Sequence, residues 1–503
     1  MSSYIYRADL VSYTNPASRQ TLCKMKLISS EELMNYRSKI LNIVYAAFYF
    51  TCCLSPVSNA GAKDSQQQEQ GHHYAVEIEE IVTRYTPANN GAGPMWCYGS
   101  TVIARQNSDV YLSTIETGKD VPLLCNTRWQ LWHRTSDGWK LEHTEKAYRQ
   151  REPCHIAVFQ EGPVFLSVNP STKPAGTQYG PCKPLVLEFD RENLSGKITA
   201  HTPAWADGTY FTDHSYRGFA ADGVNGELLL LNINAKTSEQ FVSYRDSSGR
   251  WHQKGTIEFP IRSAYPQVSL RDGSAHVMAI GDIVEPVEQW RKLKFEKTNR
   301  KWDYVFRRLF YTYTDNIRTT GFADPVEIDT VEETGGYIRN LDMHIDAAGA
   351  AHLLYTKQPH QYAFIRDKYF PGQAMTISLE YVVVKDGKVV SKRTLAQSSQ
   401  DSVGFRPSFA RFHISSDGKI HVIAAGTGIY NGKRAFGNYI GKIPAGKGRP
   451  VFEHIGLKHP FGSFFTNTPR GGSKPSDVID IFGIADDNPN LRYARVRVAP
   501  PGD

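Results

Sequence analysis

Helical periodicity is nearly absent from this chain, and so is any dense block of lysine and arginine. No CxxC or HxxxH spacing occurs, and no complete Ser-x-Asp-x-Gly-x-x-Trp turn. The one long apolar run near the start, Ile40 to Leu54, is too short for a comfortable membrane span. Each absence excludes something. Without a 3.6-residue apolar repeat the chain is not a helical protein. Without a basic block, the net charge of +7 does not point to nucleic acid, and an acidic polymer fits it better. Without paired cysteine or histidine spacings, no metal centre can be read from the chain.

Aromatic residues are abundant, at 12% of the sequence, and favour β-structure. Flat aromatic faces also suit the stacking of sugar rings, although most of them are expected simply to fill a core. Hydrophobic content of 40% against 22% charged residues makes the chain globular rather than disordered.

The segment from Met34 to Ala60 has the three parts of a secretory signal. Arg37 and Lys39 form its basic head, Ile40 to Leu54 its apolar centre, and Ser58 and Ala60 the small residues before a cleavage point. Residues 1–33 read as an over-extended start, 34–60 as the signal peptide and 61–72 as a polar, flexible lead-in. The domain proper is expected over 73–503, secreted or periplasmic, monomeric and free of the membrane once the signal is removed. Four cysteines remain in it, Cys97, Cys125, Cys154 and Cys182. The same interval separates Cys97 from Cys154 and Cys125 from Cys182, which hints at a repeat and at disulfides between neighbouring units.

A repeat is found. Its unit is a polar loop, a strand, a turn built on Gly or Asp, and a second apolar strand. The clearest copies begin at Arg406, Ile338, Tyr265 and Tyr216, and fainter ones begin at Cys154, Cys97 and Gly471. Many are followed by a second hairpin, as in WQLWHRTSDGWKLEH, FVSYRDSSGRWHQK and SLEYVVVKDGKVVSKRTL. Two hairpins per unit make a four-stranded antiparallel blade, and seven units predict an all-β, seven-bladed β-propeller. HYAVEIEEIV, from His73, and RYARVRV, from Arg492, are left over at the two ends. They are expected to share one blade and close the ring. The stretch 283–304 is the one place for a short helix or long insertion.

In a propeller the loops leading into the innermost strands surround one mouth of the axis. Those segments carry Tyr148, Arg149 and Arg151; Asp213, His214, Tyr216 and Arg217; Arg262 and Tyr265; Tyr337 and Arg339; Arg406; and Asn467 and Arg470. Six of the seven units thus place an arginine in register, and arginine is the bidentate donor for carboxylate and sulfate. His214, in FTDHSYRGF, is the sharpest single residue.

The turns YRDSSGRW and TSDGWK resemble those of bacterial-neuraminidase-type propellers. The segment YFTDHSYRGFAADGVNGELLLLNINA resembles the Asp-His blade start of a secreted propeller group that includes ulvan lyases, similar to polysaccharide lyase families twenty-four and twenty-five. In that group a second His often follows; here Asn234 stands near the place. The resemblance implies β-elimination on a uronate polymer. Arginine neutralises the uronate carboxylate, a base takes the C5 proton, and an acid protonates the leaving O4. It implies His214 as one member of the base/acid pair, and blade register adds Tyr265 as the other, with Arg262 on the carboxylate. Arg217, Tyr216, Asn234, Arg339, Arg406, Arg151 and Arg470 are then candidates for holding the anionic polysaccharide. This chemistry needs no cofactor. A structural zinc or calcium ion stays open, with Cys154, His155, His201 and His214 as the nearest donors. Three other readings compete: a sialidase-like glycosidase, an oligosaccharide dehydratase, and a non-catalytic sugar-binding propeller.

Overall fold

The structure, a computed structural model, describes residues 74–96, 98–177, 180–399, 402 and 404–498. The expected start, signal and lead-in, and Cys97, lie outside the described residues. No helix among the described residues is long and apolar enough to cross a membrane.

Seven four-stranded antiparallel sheets account for nearly all of the regular structure. Their first strands are Ile103–Gln106, His155–Val158, Gly218–Asp222, Ser263–Arg271, Tyr337–Ile345, Arg406–Ile414 and Phe461–Thr466. Each of these touches the next, and the last touches the first, so they form a ring about one axis. The sheets are therefore blades 1 to 7 of a propeller. The N-terminal strand Tyr74–Arg84 is the outermost strand of blade 7, paired with Asn490–Val498 from Tyr74↔Val498 to Arg84↔Asn490. That closure removes two free edges at once.

Burial explains the sequence of each blade. Gly218–Asp222 and Glu227–Ile233, the first two strands of blade 3, are buried at every residue because neighbouring blades cover both faces. They read as near-continuous apolar runs, whereas the outermost strand Trp251–Ile257 is largely part-exposed. Aspartate builds the turns. The Asp246 carboxylate accepts the N–H groups of Ser248 and Arg250, and Asp346 accepts those of Ala348 and Ala350.

Two corrections concern blade 7. Its first strand is Phe461–Thr466, ahead of the copy read from Gly471, and Val478–Ala485 is its second strand. Short and without alternation, FGSFFT carries no period for a sequence pattern to catch. Asn467 and Arg470 thus follow the first strand and lie at the opposite end of the blade from the mouth. Their segment enters the axis from below: Ala221 and Val158 donate to the carbonyls of Arg470 and Gly471.

From above, the segment leading into blade 1 fills the same axis. Ser100 Oγ accepts the Phe219 N–H, and Ile156 donates to the Thr101 carbonyl. A Cβ at Gly99 would meet the Pro266 carbonyl oxygen at 2.3 Å, so only glycine fits there. The two plugs join where Arg470 donates to the Gly99 carbonyl at 2.6 Å. Arg411 ties three blades together through the carbonyls of Phe464, Leu341 and Tyr98. Burial pulls its guanidinium down to about 9. The axis is thus closed, and the mouth is a bowl with a floor.

Two insertions raise one rim of that bowl. Both lie between second and third strands, at the same end as the leading loops. Blade 4 carries the helix Glu288–Thr298, ended by Asn299 at φ 53°, inside the expected 283–304. Blade 5 carries the helix Ala363–Tyr369, and the two helices touch.

Candidate functional site

The site is built where the leading loops of blades 1 to 5 converge. Tyr216 and Tyr265 head the first strands of blades 3 and 4, and both have positive φ, 39° and 50°. That conformation is rare for a bulky residue and costs about 1–3 kcal/mol, a kind of strain that gathers at functional sites. At Tyr265 it coincides with a register break between Ala264 and Gln267. The two rings meet edge to face with centroids 4.8 Å apart. Tyr98, from the blade 1 plug, stacks on Tyr265 at 4.8 Å and 15°, and Trp96 meets Tyr265 edge-on at 5.6 Å. These rings form the floor.

His214 stands on that floor, part-buried, between a carboxylate and a phenol. Its Nδ1 lies 3.3 Å from Glu152 Oε1, and its Nε2 is 3.0 Å from the Tyr216 hydroxyl. Glu152 is buried at 2% exposure and accepts both the N–H and the hydroxyl of Ser215. Burial pushes its carboxyl up, but the hydrogen bond and charge of His214, with Arg217 and Arg151, outweigh this and hold it at about 2. Glu152, His214 and Tyr216 therefore form one chain from the protein interior to the bowl.

Arg262 lies against the far side of Tyr216. Its guanidinium sits 5.3 Å from the Tyr216 ring centroid and 5.7 Å from that of Tyr304, and it pairs with Asp282. Burial raises the Asp282 carboxyl, while Arg262 and a hydrogen bond from Tyr216 pull the other way. The charge of Arg262 favours the ionised carboxylate against that burial. Above Arg262 the blade 4 insertion presents Trp302 and Tyr304 to solvent. Phe306 links Trp302 to Tyr265 and Tyr337, each at about 6 Å between centroids.

The other sequence candidates fall into distinct places. Arg339 is part-buried beside Tyr337, whose hydroxyl accepts its Nε at 3.4 Å. Arg406 is exposed on blade 6. Arg151 pairs with Asp213 and donates to the Asn90 carbonyl, inside the loops behind His214. Arg217 is 1% exposed and donates to the carbonyls of Ser167 and Pro153, so it holds blades together instead of facing the bowl. Arg470 is likewise interior, paired with Asp342 at 2.9 Å. Asn234 is buried in a turn of blade 3, donating to the Gly208 carbonyl and accepting the Lys236 N–H. The hydroxyl that meets His214 is that of Tyr216; Tyr265 stands next to it in the floor.

Glu152, Asp282, Trp96 and Tyr98 were not picked out from sequence. Glu152 sits between Arg151 and Pro153 in a leading loop, where no motif marks it out from its arginine neighbour. Trp96 and Tyr98 lead into the first repeat, in MWCYGST, one of its fainter copies.

Cys125, Cys154 and Cys182 are free thiols, so no disulfide joins them. Cys154 is fully buried among apolar side chains, and Cys125 and Cys182 hydrogen-bond to one another. His201 pairs with Glu188 at 2.8 Å, away from His155 and His214. Among the described residues one group could hold a cation, His459 with Asp486 and Asp487 on blade 7. Asp487 is already engaged there by Arg492 and Asn490.

No family model matches the chain, and no curated protein matches it. Among solved structures, Kuenenia stuttgartiensis hydrazine synthase is similar at 12% identity and a TM-score of 0.37, over 66% of this chain and 76% of that one. Penicillium chrysogenum α-L-arabinanase complexed with arabinobiose gives 11% and 0.37, over 68% and 92%. Trypanosoma rangeli sialidase gives 12% and 0.35, over 67% and 53%. Likenesses this distant assign no activity; the seven-bladed propeller stands on the chain's own strands.

Proposed function

We propose that this propeller is a secreted polysaccharide lyase that cleaves a uronate-containing, sulfated polysaccharide, with ulvan as the first substrate to try. The observation that carries the reading is the hydrogen-bonded His214–Tyr216 pair with Arg262 packed on the same phenol. β-Elimination needs those three groups together and no others. Arg262, held in place by Asp282, neutralises the uronate carboxylate and makes the C5 proton acidic. One member of the pair takes that proton. The C5–H electrons form the C4=C5 double bond as the C4–O4 bond breaks, and O4 leaves with a proton from the other member. The 3.0 Å contact lets the pair pass a proton back and reset. Glu152 keeps the imidazole oriented from its Nδ1 side.

A glycosidase of the ordinary kind uses two presented carboxyl groups. Glu152, Asp213 and Asp282 are each engaged by a base, which favours elimination over hydrolysis. The test is to add residues 61–503 to ulvan and to a panel of other uronate polymers, and to follow the ultraviolet absorbance of the unsaturated uronate. A rise that His214→Ala abolishes supports the reading. Reducing ends without absorbance would turn it to a glycosidase, and binding without either product to a lectin.

A further inference from the structure

Most arginines around the mouth have an ion-pair or backbone-carbonyl partner within the protein. Arg262 has Asp282, Arg151 has Asp213, and Arg217 and Arg411 have backbone carbonyls. Arg339 and Arg406 differ. Among the described residues neither has a carboxylate partner, and the only hydrogen bond from the Arg339 guanidinium goes to the Tyr337 hydroxyl. Both line one cavity of about 320 Å³ between blades 5 and 6, and among the described residues no Asp or Glu lines it.

The register builds its walls. On blade 6, Arg406 pairs with Thr427, and Thr427 with Phe436, so the three stand in one row across three strands. On blade 5, Arg339 pairs with Thr356, and Tyr337 stands two residues before Arg339 on the same strand. Two cations, two hydroxyl-bearing threonines and two aromatic rings therefore face one concavity. Phe436 is 43% exposed in it, an arrangement unsuited to a mere packing contact. A site of this volume lies within the range of roughly 300–1,000 Å³ for small-molecule pockets. Two uncompensated guanidinium groups and no carboxylate select an anion.

Side-chain contacts link the wall of this cavity to the site already described. Phe306 meets both Tyr265 and Tyr337, and Tyr98, stacked on Tyr265, donates to Asn340 beside Arg339. It is nevertheless displaced around the ring, since His214 and Tyr216 belong to blade 3. We propose that the Arg339–Arg406 cavity is a separate anionic subsite. It takes the sulfate or carboxylate of a sugar further along the polymer than the one cleaved, with Phe436 or Tyr337 stacking on its ring. The inference rests on the lyase reading for the identity of the polymer, and it makes the protein prefer chains long enough to reach from blade 3 to blade 6.

Binding separates the two ideas, because it needs no turnover. Size-defined ulvan oligosaccharides are titrated calorimetrically into His214→Ala protein, alone or with Arg406→Ala or Thr427→Glu added. The same series is repeated with desulfated and with carboxyl-reduced oligosaccharides. The expected result is about tenfold weaker binding of a long oligosaccharide with Arg406→Ala, as befits one lost charge-assisted contact, and a larger loss with Thr427→Glu. Disaccharide binding stays unchanged in both. Loss on desulfation alone identifies sulfate as the bound group, and loss on carboxyl reduction alone identifies carboxylate. Equal affinities of all variants for the long oligosaccharide would overturn the subsite and leave the lyase reading standing. Absence of binding at every length, together with no elimination activity in the parent protein, would overturn both.

Discussion

Tyr216→Phe is the most informative single change, because it removes one oxygen atom and little else. The ring keeps its edge-to-face contact with Tyr265 and its place under Arg262. The residue is 4% exposed, and the fold loses two buried hydrogen bonds, about 1 kcal/mol each. His214 Nε2 loses its partner at 3.0 Å, and the Asp282–Arg262 pair loses a hydrogen bond. If the phenol moves a proton in the rate-limiting step, kcat is expected to fall roughly a hundredfold to ten-thousandfold. KM should hardly move, because the substrate still meets the same ring and the same Arg262. The assay is the initial rate of unsaturated-uronate formation across a range of polymer concentrations, with the melting transition as the control for folding. Tyr265→Phe is the companion. Its ring is in the floor, and it is not the hydroxyl paired with His214, so its loss is expected to cost less than about tenfold. The opposite order, with Tyr216→Phe active and Tyr265→Phe inert, would refute the assignment of the phenol and hand the role to Tyr265.

Glu152 gives a pH test. Its carboxyl is held at about 2 against an ordinary 4.5, so its contribution is fully present at neutral pH and is lost as pH falls through that window. The depression corresponds to about 3 kcal/mol. Wild-type protein should therefore lose more denaturation free energy than Glu152→Gln between neutral pH and about pH 3, and equal losses would count against the pairing. Asp342→Ala strands the buried Arg470 and should cost about 3–5 kcal/mol in urea unfolding, whereas a cost under about 1 kcal/mol would mean the axis plug does not depend on that pair. Gly99→Ala drives a methyl group into the Pro266 carbonyl and should cost about 1–3 kcal/mol. Because the same segment carries Tyr98, activity should fall with it; unchanged activity would show that the floor tolerates the shift.

How much of this was legible in the sequence follows from which forces leave a periodic trace. Blade 3 could be read because both faces of Gly218–Asp222 and Glu227–Ile233 are buried, which forces apolar runs of strand length separated by an Asp-Gly turn. Ring closure could be read because Tyr74–Arg84 and Asn490–Val498 were strands without a blade of their own. The first strand of blade 7 leaves no such trace, so the repeat pattern alone misplaces Arg470 along that blade. The site is a harder case. Register fixes which loop a residue occupies, and it puts His214 and Arg262 at the mouth. It does not fix where a long side chain ends. Arg217 and Arg406 hold comparable places in their repeats, yet one is buried on two carbonyls and the other is exposed beside a cavity without a carboxylate.

That difference is the physical content of the site. An arginine buried on carbonyls of a neighbouring blade, as Arg217 is, is structural, and one that keeps part of its side chain exposed at the mouth, as Arg262 and Arg406 do, is available to a ligand. The distinction depends on neighbours from other blades: Pro153 and Ser167 reach Arg217 from blade 2, whereas no acid from blade 5 reaches Arg406 among the described residues. The tyrosines follow the same logic. Tyr216 and Tyr265 look equivalent in their repeats, and both take the strained left-handed conformation. Only Tyr216 has a histidine two residues before it in the chain, within reach of its hydroxyl. The ring of repeats supplies equivalent positions, and the loops between them make one position reactive.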